Sequence, residues 1–140
     1  MYTPHHFRTG ANAYARVGVE SSAMSASPHQ LICMLFDGAR TTLGMARHHM
    51  ERGDVPAKGQ AISKAIDIVA NGLKASLDAD AAGPAGAQLV ANLGALYDYI
   101  VRRLLQANLR DDVDALDEAQ RLLESIASAW REIEPGAAGA

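Results

Sequence analysis

Apolar side chains recur every three or four residues along most of the chain, which is the spacing of an α-helix with one buried face. Four such stretches are separated by glycine, proline and aspartate, and they cover residues 28–52, 56–77, 87–107 and the segment that follows Asp111. No stretch alternates with the period of two that predicts a β-strand. The pattern predicts an all-α protein, and such helices with short loops pack most simply as an antiparallel up-and-down four-helix bundle.

The predicted helix ends rest on local capping signals. Ser27 can cap the first helix, and Gln30 can complete a capping box with it. The segment 78–86 with its Gly83-Pro84 pair is predicted to separate the second and third helices. Residues 108–110 are predicted to form a tight connection, after which Asp111 can cap the fourth helix.

Three regions follow from these boundaries. Residues 1–26 form an N-terminal arm, residues 27–134 form the helical bundle domain, and residues 135–140 form a flexible tail.

The arm carries three isolated aromatic residues, Tyr2, Phe7 and Tyr14, in a stretch of small and polar residues without a helical stripe. We expect it to be mobile or strap-like, and two interpretations stay open. As a removable plug, the arm would lay these rings over a groove that a partner later occupies. As a strap, the arm would pack permanently on the bundle.

The second helix has an edge of small residues beside its main apolar stripe. Ala57, Ala61, Ala65 and Ile68 lie along this edge, where small side chains would let a partner helix approach closely. The apolar arcs of the helices are also wider than one core-facing stripe requires. These arcs indicate either a groove for a partner helix or extra core and dimer contacts, and we take the edge and the three arm aromatics as candidate partner-binding residues.

Composition narrows the class of protein. The 140 residues are 49% hydrophobic and 21% charged, which is typical of a single globular domain. The net charge is −3 and the basic residues are scattered, so nucleic acid is not an expected partner. No apolar run has the length of a signal peptide core or a membrane span, so we expect a cytoplasmic protein without membrane insertion.

Catalytic and metal-binding patterns are not found in the sequence. No glutamate has a histidine three residues after it, which the di-iron bundles require. Nucleophile elbows, phosphate-binding glycine loops and paired cysteines are also lacking. We therefore predict a protein that is not an enzyme and needs no cofactor or metal.

Two sequence blocks resemble the flagellar secretion chaperone family FliS. The first is Ala-Ser-Pro, two variable residues, then Leu and an apolar run ending in Phe-Asp-Gly, at residues 26–38. The second contains Leu-Tyr-Asp-Tyr, Arg-Arg-Leu and Ala-Asn in register within residues 92–112, and Ala129-Trp130 matches a pair near the family's C-terminus. The resemblance covers roughly residues 13–132.

This resemblance implies a function. Members of the family bind the C-terminal helical segment of flagellin in the cytoplasm, prevent its premature polymerisation and assist its delivery to the flagellar type III export apparatus. The export apparatus and an anti-sigma factor are further partners that it suggests. A structural or scaffolding homodimer, whose extra apolar surface is covered by its own copy, is the alternative.

Overall fold

A computed structural model describes residues 27–77 and 83–133. Within these two ranges the chain forms no strand and four α-helices, which are α1 (Pro28–Glu51), α2 (Val55–Asp67), α3 (Gly83–Arg110) and α4 (Val113–Glu132). The all-α prediction is confirmed. The predicted arm at residues 1–26 and the predicted tail at residues 135–140 lie outside the described ranges.

The helices form an antiparallel ring in which each packs against the next in sequence and α4 packs back against α1. Contacts near the helix ends show the directions. His29 at the start of α1 stacks on Trp130 near the end of α4. Lys58 near the start of α2 bonds to the carbonyl oxygen of Asn108 near the end of α3. The arrangement is the predicted up-and-down four-helix bundle.

The start of α1 confirms the capping box. The Ser27 hydroxyl accepts from the Gln30 backbone N–H at 3.1 Å, and the Gln30 side chain accepts from the Ser27 backbone N–H at 2.9 Å. These bonds satisfy two backbone donors that a helix start would otherwise leave unpaired. At the other end, Gly53 has a φ of 72°, which glycine adopts without steric cost, and the chain turns there into α2.

Two predicted boundaries of α3 were wrong. The helix begins at Gly83, because a proline in the first turn has no helical partner to lose and its fixed φ suits the helix. It also continues through the predicted connection to Arg110. The N-cap of α4 is therefore Asp112 and not Asp111 as predicted. Its carboxylate accepts from the Ala115 backbone N–H at 3.1 Å. Asp111 instead turns the chain with a φ of 54°.

The second predicted helix is not a uniform α-helix. After α2 the chain continues as a π-helical turn at Ile68–Leu73 and a short 3-10 turn at Lys74–Ser76. The π-helical turn contributes Ile68, Val69 and Leu73 to the core. A wider turn rotates the following residues relative to a regular α-helix, so these side chains reach the core without a break in the helical path.

Alanines and leucines fill the core together. Ala39 and Ala46 of α1 are fully buried, as are Leu43 of the same helix and Ala107 and Leu104 of α3. Small side chains between large ones let neighbouring helices approach closely while the large ones fill the space between them. This packing accounts for the many alanines at helical spacing.

The end of the bundle that carries the α1–α2 and α3–α4 turns is tied by a buried lysine. The Lys58 ammonium donates to the Asn108 carbonyl oxygen at 3.1 Å and to the Asp111 carboxylate at 2.9 Å. A buried charge is tolerated when it is paired and hydrogen-bonded in this way. The same contact explains why Asp111 occupies the turn: its carboxylate holds α2 against the end of α3.

Replacing Tyr97 with alanine should lower the free energy of unfolding by roughly 3 kcal/mol or more. The Tyr97 ring is 3% exposed and packs in the core, so its loss leaves a cavity. Urea denaturation followed by circular dichroism measures the change. Ser63→Ala, at an exposed position of α2, is the control and should change the value by less than about 0.5 kcal/mol. Equal midpoints for Tyr97→Ala and the parent chain would contradict this burial.

Candidate functional site

The apolar stripe of α3 passes from buried to exposed along its length. Its members follow one another at steps of three or four residues and are Leu89, Leu93, Leu96, Ile100 and Leu104. Leu104 and Ile100 are 0% exposed, Leu96 and Leu93 are half-buried, and Leu89 is 59% exposed. One helix face thus forms the core at one end and an open apolar surface at the other.

Unequal helix lengths cause this change. α3 has 28 residues and α4 has 20, so α3 is 8 residues longer than the neighbour that it joins through a tight turn. At 1.5 Å per residue the difference is about 12 Å, or two helical turns. On the other side of α3, the helical path that begins with α2 ends at Ser76. Among the residues that the structure describes, the start of α3 therefore has fewer helical neighbours than its end.

Apolar residues from the other helices are also incompletely buried at this end. Trp130 of α4 and Ile32 of α1 are half-buried, and Ile133 after α4 is 59% exposed. Leu77 lies beside α3, where a Cβ added to Gly94 would be 3.8 Å from its side chain. We call the end formed by the starts of α1 and α3 and the chain at residues 77 and 133 the open end.

A stacked pair of rings, which we call the His29–Trp130 clasp, connects α1 to α4 at the open end. The His29 and Trp130 rings are 4.9 Å apart at an angle of 9°. The His29 Nε2–H donates to the Trp130 carbonyl oxygen at 2.7 Å, and the indole N–H of Trp130 donates to the His29 carbonyl oxygen at 3.2 Å. The Cys33 sulfur lies 3.8 Å from His29 Nδ1. Sequence reasoning missed this clasp, because the two residues are 101 positions apart.

The polar side chains between α3 and α4 hold the two helices together. The Tyr99 hydroxyl donates to the Glu118 carboxylate at 2.7 Å, and Arg103 Nε lies 2.6 Å from the same oxygen. The hydrogen bond from Tyr99, followed by Arg103, lowers the pKa of Glu118 below its usual range, and the same bond raises the pKa of Tyr99. These groups are charged or hydrogen-bonded partners of one another, which is a structural role.

Two further pKa shifts have structural causes. The hydrogen bond from the Ala115 backbone N–H lowers the pKa of Asp112, as expected for a carboxylate that caps a helix. Burial raises the pKa of Tyr97 to about 12. In the described ranges, no group of three or more histidine, cysteine, aspartate or glutamate residues is placed to hold a metal ion.

The structure places the small-residue edge, which comprises three alanines of α2 and Ile68 of the following π-helical turn, mostly inside the bundle. Ala65 is fully buried, Ala61 and Ile68 are buried, and Ala57 is half-buried. In this conformation the edge packs within the chain's own core, and a partner would reach most of it only if α2 moved. The other candidate partner-binding residues, Tyr2, Phe7 and Tyr14, lie outside the described residues.

Sequence reasoning did not single out the open end as a binding surface. The stripe from Leu89 to Leu104 is uniform in the sequence, so only the length of the neighbouring helices shows which part is covered. Across residues 27–77 and 83–133, no helix is both long enough and apolar enough to span a membrane.

Comparison with known proteins identifies the family. The family profile described as flagellar protein FliS matches residues 10–137. The chain belongs to the FliS family. The flagellar secretion chaperone FliS of Salmonella typhimurium is 56% identical over 137 residues, which are 98% of this chain and 96% of that protein. The FliS proteins of Escherichia coli and Bacillus subtilis are 50% and 30% identical, over 88% and 81% of this chain and 88% and 80% of their own lengths.

Membership of the FliS family settles the functional class. FliS proteins are flagellar secretion chaperones and not enzymes. A secretion chaperone acts on a protein client, which requires a surface that can receive a polypeptide. The open end is an exposed apolar surface in the described part of the chain.

Glu118→Gln should make the stability of this FliS-family chain less sensitive to acid. The pKa of Glu118 is lower in the folded chain, so its charged form stabilises the fold at neutral pH, and this contribution is lost as the pH falls from about 5 toward 3. Thermal melts over this pH range should fall more steeply for the parent chain than for the variant. Glu132→Gln, at an exposed position, should retain the parent slope. Parallel slopes for Glu118→Gln and the parent would refute the contribution.

Proposed function

We propose that this protein is a cytoplasmic export chaperone that binds the C-terminal helical segment of flagellin. In this role it keeps the client from polymerising prematurely and assists its delivery to the flagellar type III export apparatus. Membership of a flagellar secretion chaperone family supports the class of client. The observation that carries the proposal is the uncovered part of the α3 stripe at the open end.

The open end suits an amphipathic helix. Leu89, Leu93 and Leu96 present one apolar row, and Ile133 is exposed at the same end of the bundle. A client helix that aligns its apolar face with this row would bury side chains worth about 1.5–3 kcal/mol each when fully covered. Ordering a flexible client costs part of this free energy, so the binding needs several such contacts.

Binding of a client helix to this row would also need no rearrangement of the core. Ile100 and Leu104 continue the same stripe within the bundle, so a client helix beside Leu89 and Leu93 would extend an existing core. The small-residue edge at Ala57, Ala61, Ala65 and Ile68 remains a prediction for client contact, and a client could reach its buried members only if this segment moved. We regard the open end as the first contact for this reason.

Leu89→Glu should weaken the binding of a synthetic flagellin C-terminal peptide by about tenfold or more, because the new carboxylate would have to be desolvated in the complex. Isothermal titration calorimetry measures the dissociation constant, and its temperature dependence should show the negative heat-capacity change of apolar burial. Leu109→Glu carries the same substitution at an 83% exposed position of the same helix, and should bind within about twofold of the parent.

These measurements distinguish a wrongly placed binding surface from a wrongly proposed client. Circular dichroism melts must show that both variants keep the parent fold. Normal binding by Leu89→Glu would move the client surface away from the open end while leaving the chaperone function intact. No binding by the parent chain would contradict the proposed client.

Deleting residues 1–15 tests the two interpretations of the arm. The chain enters α1 at Ser27, which is at the open end, so the arm is tethered near the proposed client surface. The plug interpretation expects faster peptide association and greater aggregation of the free protein. The strap interpretation expects a lower melting temperature with no gain in association rate. Stopped-flow fluorescence and thermal melts distinguish them, and an unchanged association rate with a large stability loss would eliminate the plug.

A further inference from the structure

The adjacent arginines of the Arg-Arg-Leu motif on α3 have different surroundings. Arg103 Nε lies 2.6 Å from a Glu118 oxygen and is part of the contact between α3 and α4. Arg102 is exposed, and in the described part of the chain it forms no salt bridge. Its guanidinium lies 5.7 Å from the centre of the Tyr99 ring, so an aromatic face orients it while its N–H groups face no carboxylate of the chain.

A second arginine, Arg121, belongs to the opposite helix of this contact. It is exposed, and like Arg102 it forms no salt bridge with another described residue. The pKa of Glu118 is lowered first by the hydrogen bond from Tyr99, then by Arg103, and further by the charge of Arg121, so Arg121 lies within electrostatic reach of this carboxylate. We call the surface formed by Tyr99, Arg102, Arg103, Glu118 and Arg121 the arginine groove.

The arginine groove carries an excess of positive charge. Its three guanidinium groups share one carboxylate, Glu118, which already accepts from Tyr99 and pairs with Arg103. The whole chain, in contrast, has a net charge of −3. Asp114, one helical turn before Glu118, is exposed and bounds the positive region toward the closed end. The groove is therefore a small basic surface on an acidic protein.

We propose that the arginine groove binds an acidic segment of a partner protein. A guanidinium presents a planar fork of N–H donors that matches a carboxylate, so Arg102 from α3 and Arg121 from α4 would each take one acidic side chain. Tyrosine and arginine are also the residue types that contribute most at protein interfaces. Two unpaired arginines suit a short segment with few carboxylates. Nucleic acid or an anionic membrane would instead bring many phosphates toward a chain of net negative charge.

The arginine groove is separate from the open end. Leu89 and Arg102 are 13 residues apart on α3, which is about 20 Å along the helix. Their side chains also point in directions that differ by roughly 140° around the helix axis. A client at the open end would leave the groove accessible, so the inference does not rest on the proposed client.

Fluorescence anisotropy with a labelled synthetic peptide of Glu-Ala repeats tests the proposal. Exposed ion pairs contribute little in water, so the parent chain should bind with a dissociation constant on the order of 100 μM at low salt. Arg102→Glu and Arg121→Glu should each raise this constant by about tenfold, because each replaces an attractive charge with a repulsive one. Lys64→Glu, at an exposed position of α2, changes the net charge equally and should stay within about twofold of the parent.

Two controls establish what the peptide recognises. A peptide of Gln-Ala repeats should not bind measurably, and about 0.5 M sodium chloride should weaken the binding of the Glu-Ala peptide strongly, because exposed charges are screened by salt. Circular dichroism melts verify that the variants keep the parent fold. Arg102→Glu should still bind the flagellin peptide within about twofold of the parent, which distinguishes failure at the groove from failure of the proposed client.

Several outcomes would overturn the proposal. They are no binding of the Glu-Ala peptide up to about 1 mM, equal binding of the Gln-Ala peptide, and arginine variants that behave like Lys64→Glu. Tighter binding of oligothymidine or of phosphatidylserine vesicles, with the same dependence on Arg102 and Arg121, would also overturn it. The groove would then bind phosphates rather than the carboxylates of a protein.

Discussion

The difference in length between α3 and its neighbours is the constraint on which the proposed client surface depends. A four-helix bundle buries an apolar stripe only where all its helices run side by side. Because the tight turn aligns the end of α3 with the start of α4, the extra residues of α3 all lie at the opposite end. Core-type leucines there remain in contact with water. Among the described residues, the bundle consequently has one closed end and one end with exposed apolar side chains.

Polar side chains serve this arrangement by fixing the helices relative to one another. Lys58 ties the closed end, the His29–Trp130 clasp ties α1 to α4 at the open end, and Tyr99 with Arg103 joins α3 to α4 through Glu118. Each contact spans two helices. The helices around the open end are therefore held together by polar contacts within the chain, whereas the surface proposed for the client is apolar.

Features that depend on neighbouring residues could be predicted from the sequence, whereas those that depend on packing could not. The Ser27 cap was correct because a capping box is local. Asp111 and Asp112 are adjacent acids, and only the contact with Lys58 decides which one caps α4. The buried position of Ala65 was not predictable, because an apolar edge fits a partner helix or the chain's own core equally well. The family, in contrast, was evident from two short blocks that tertiary structure leaves unaltered.

Unequal burial along α3 means that one continuous helix has two levels of local stability. Around Ile100 and Leu104, opening the backbone exposes the core and requires unfolding of the whole domain. Leu89 is 59% exposed, so we expect local opening near it to cost less free energy than opening around Ile100 and Leu104. A surface that unwinds locally can adjust its path to a chain that is itself becoming ordered. Binding of the proposed client would then suppress this fraying, so that the chaperone and the client would lose conformational freedom together.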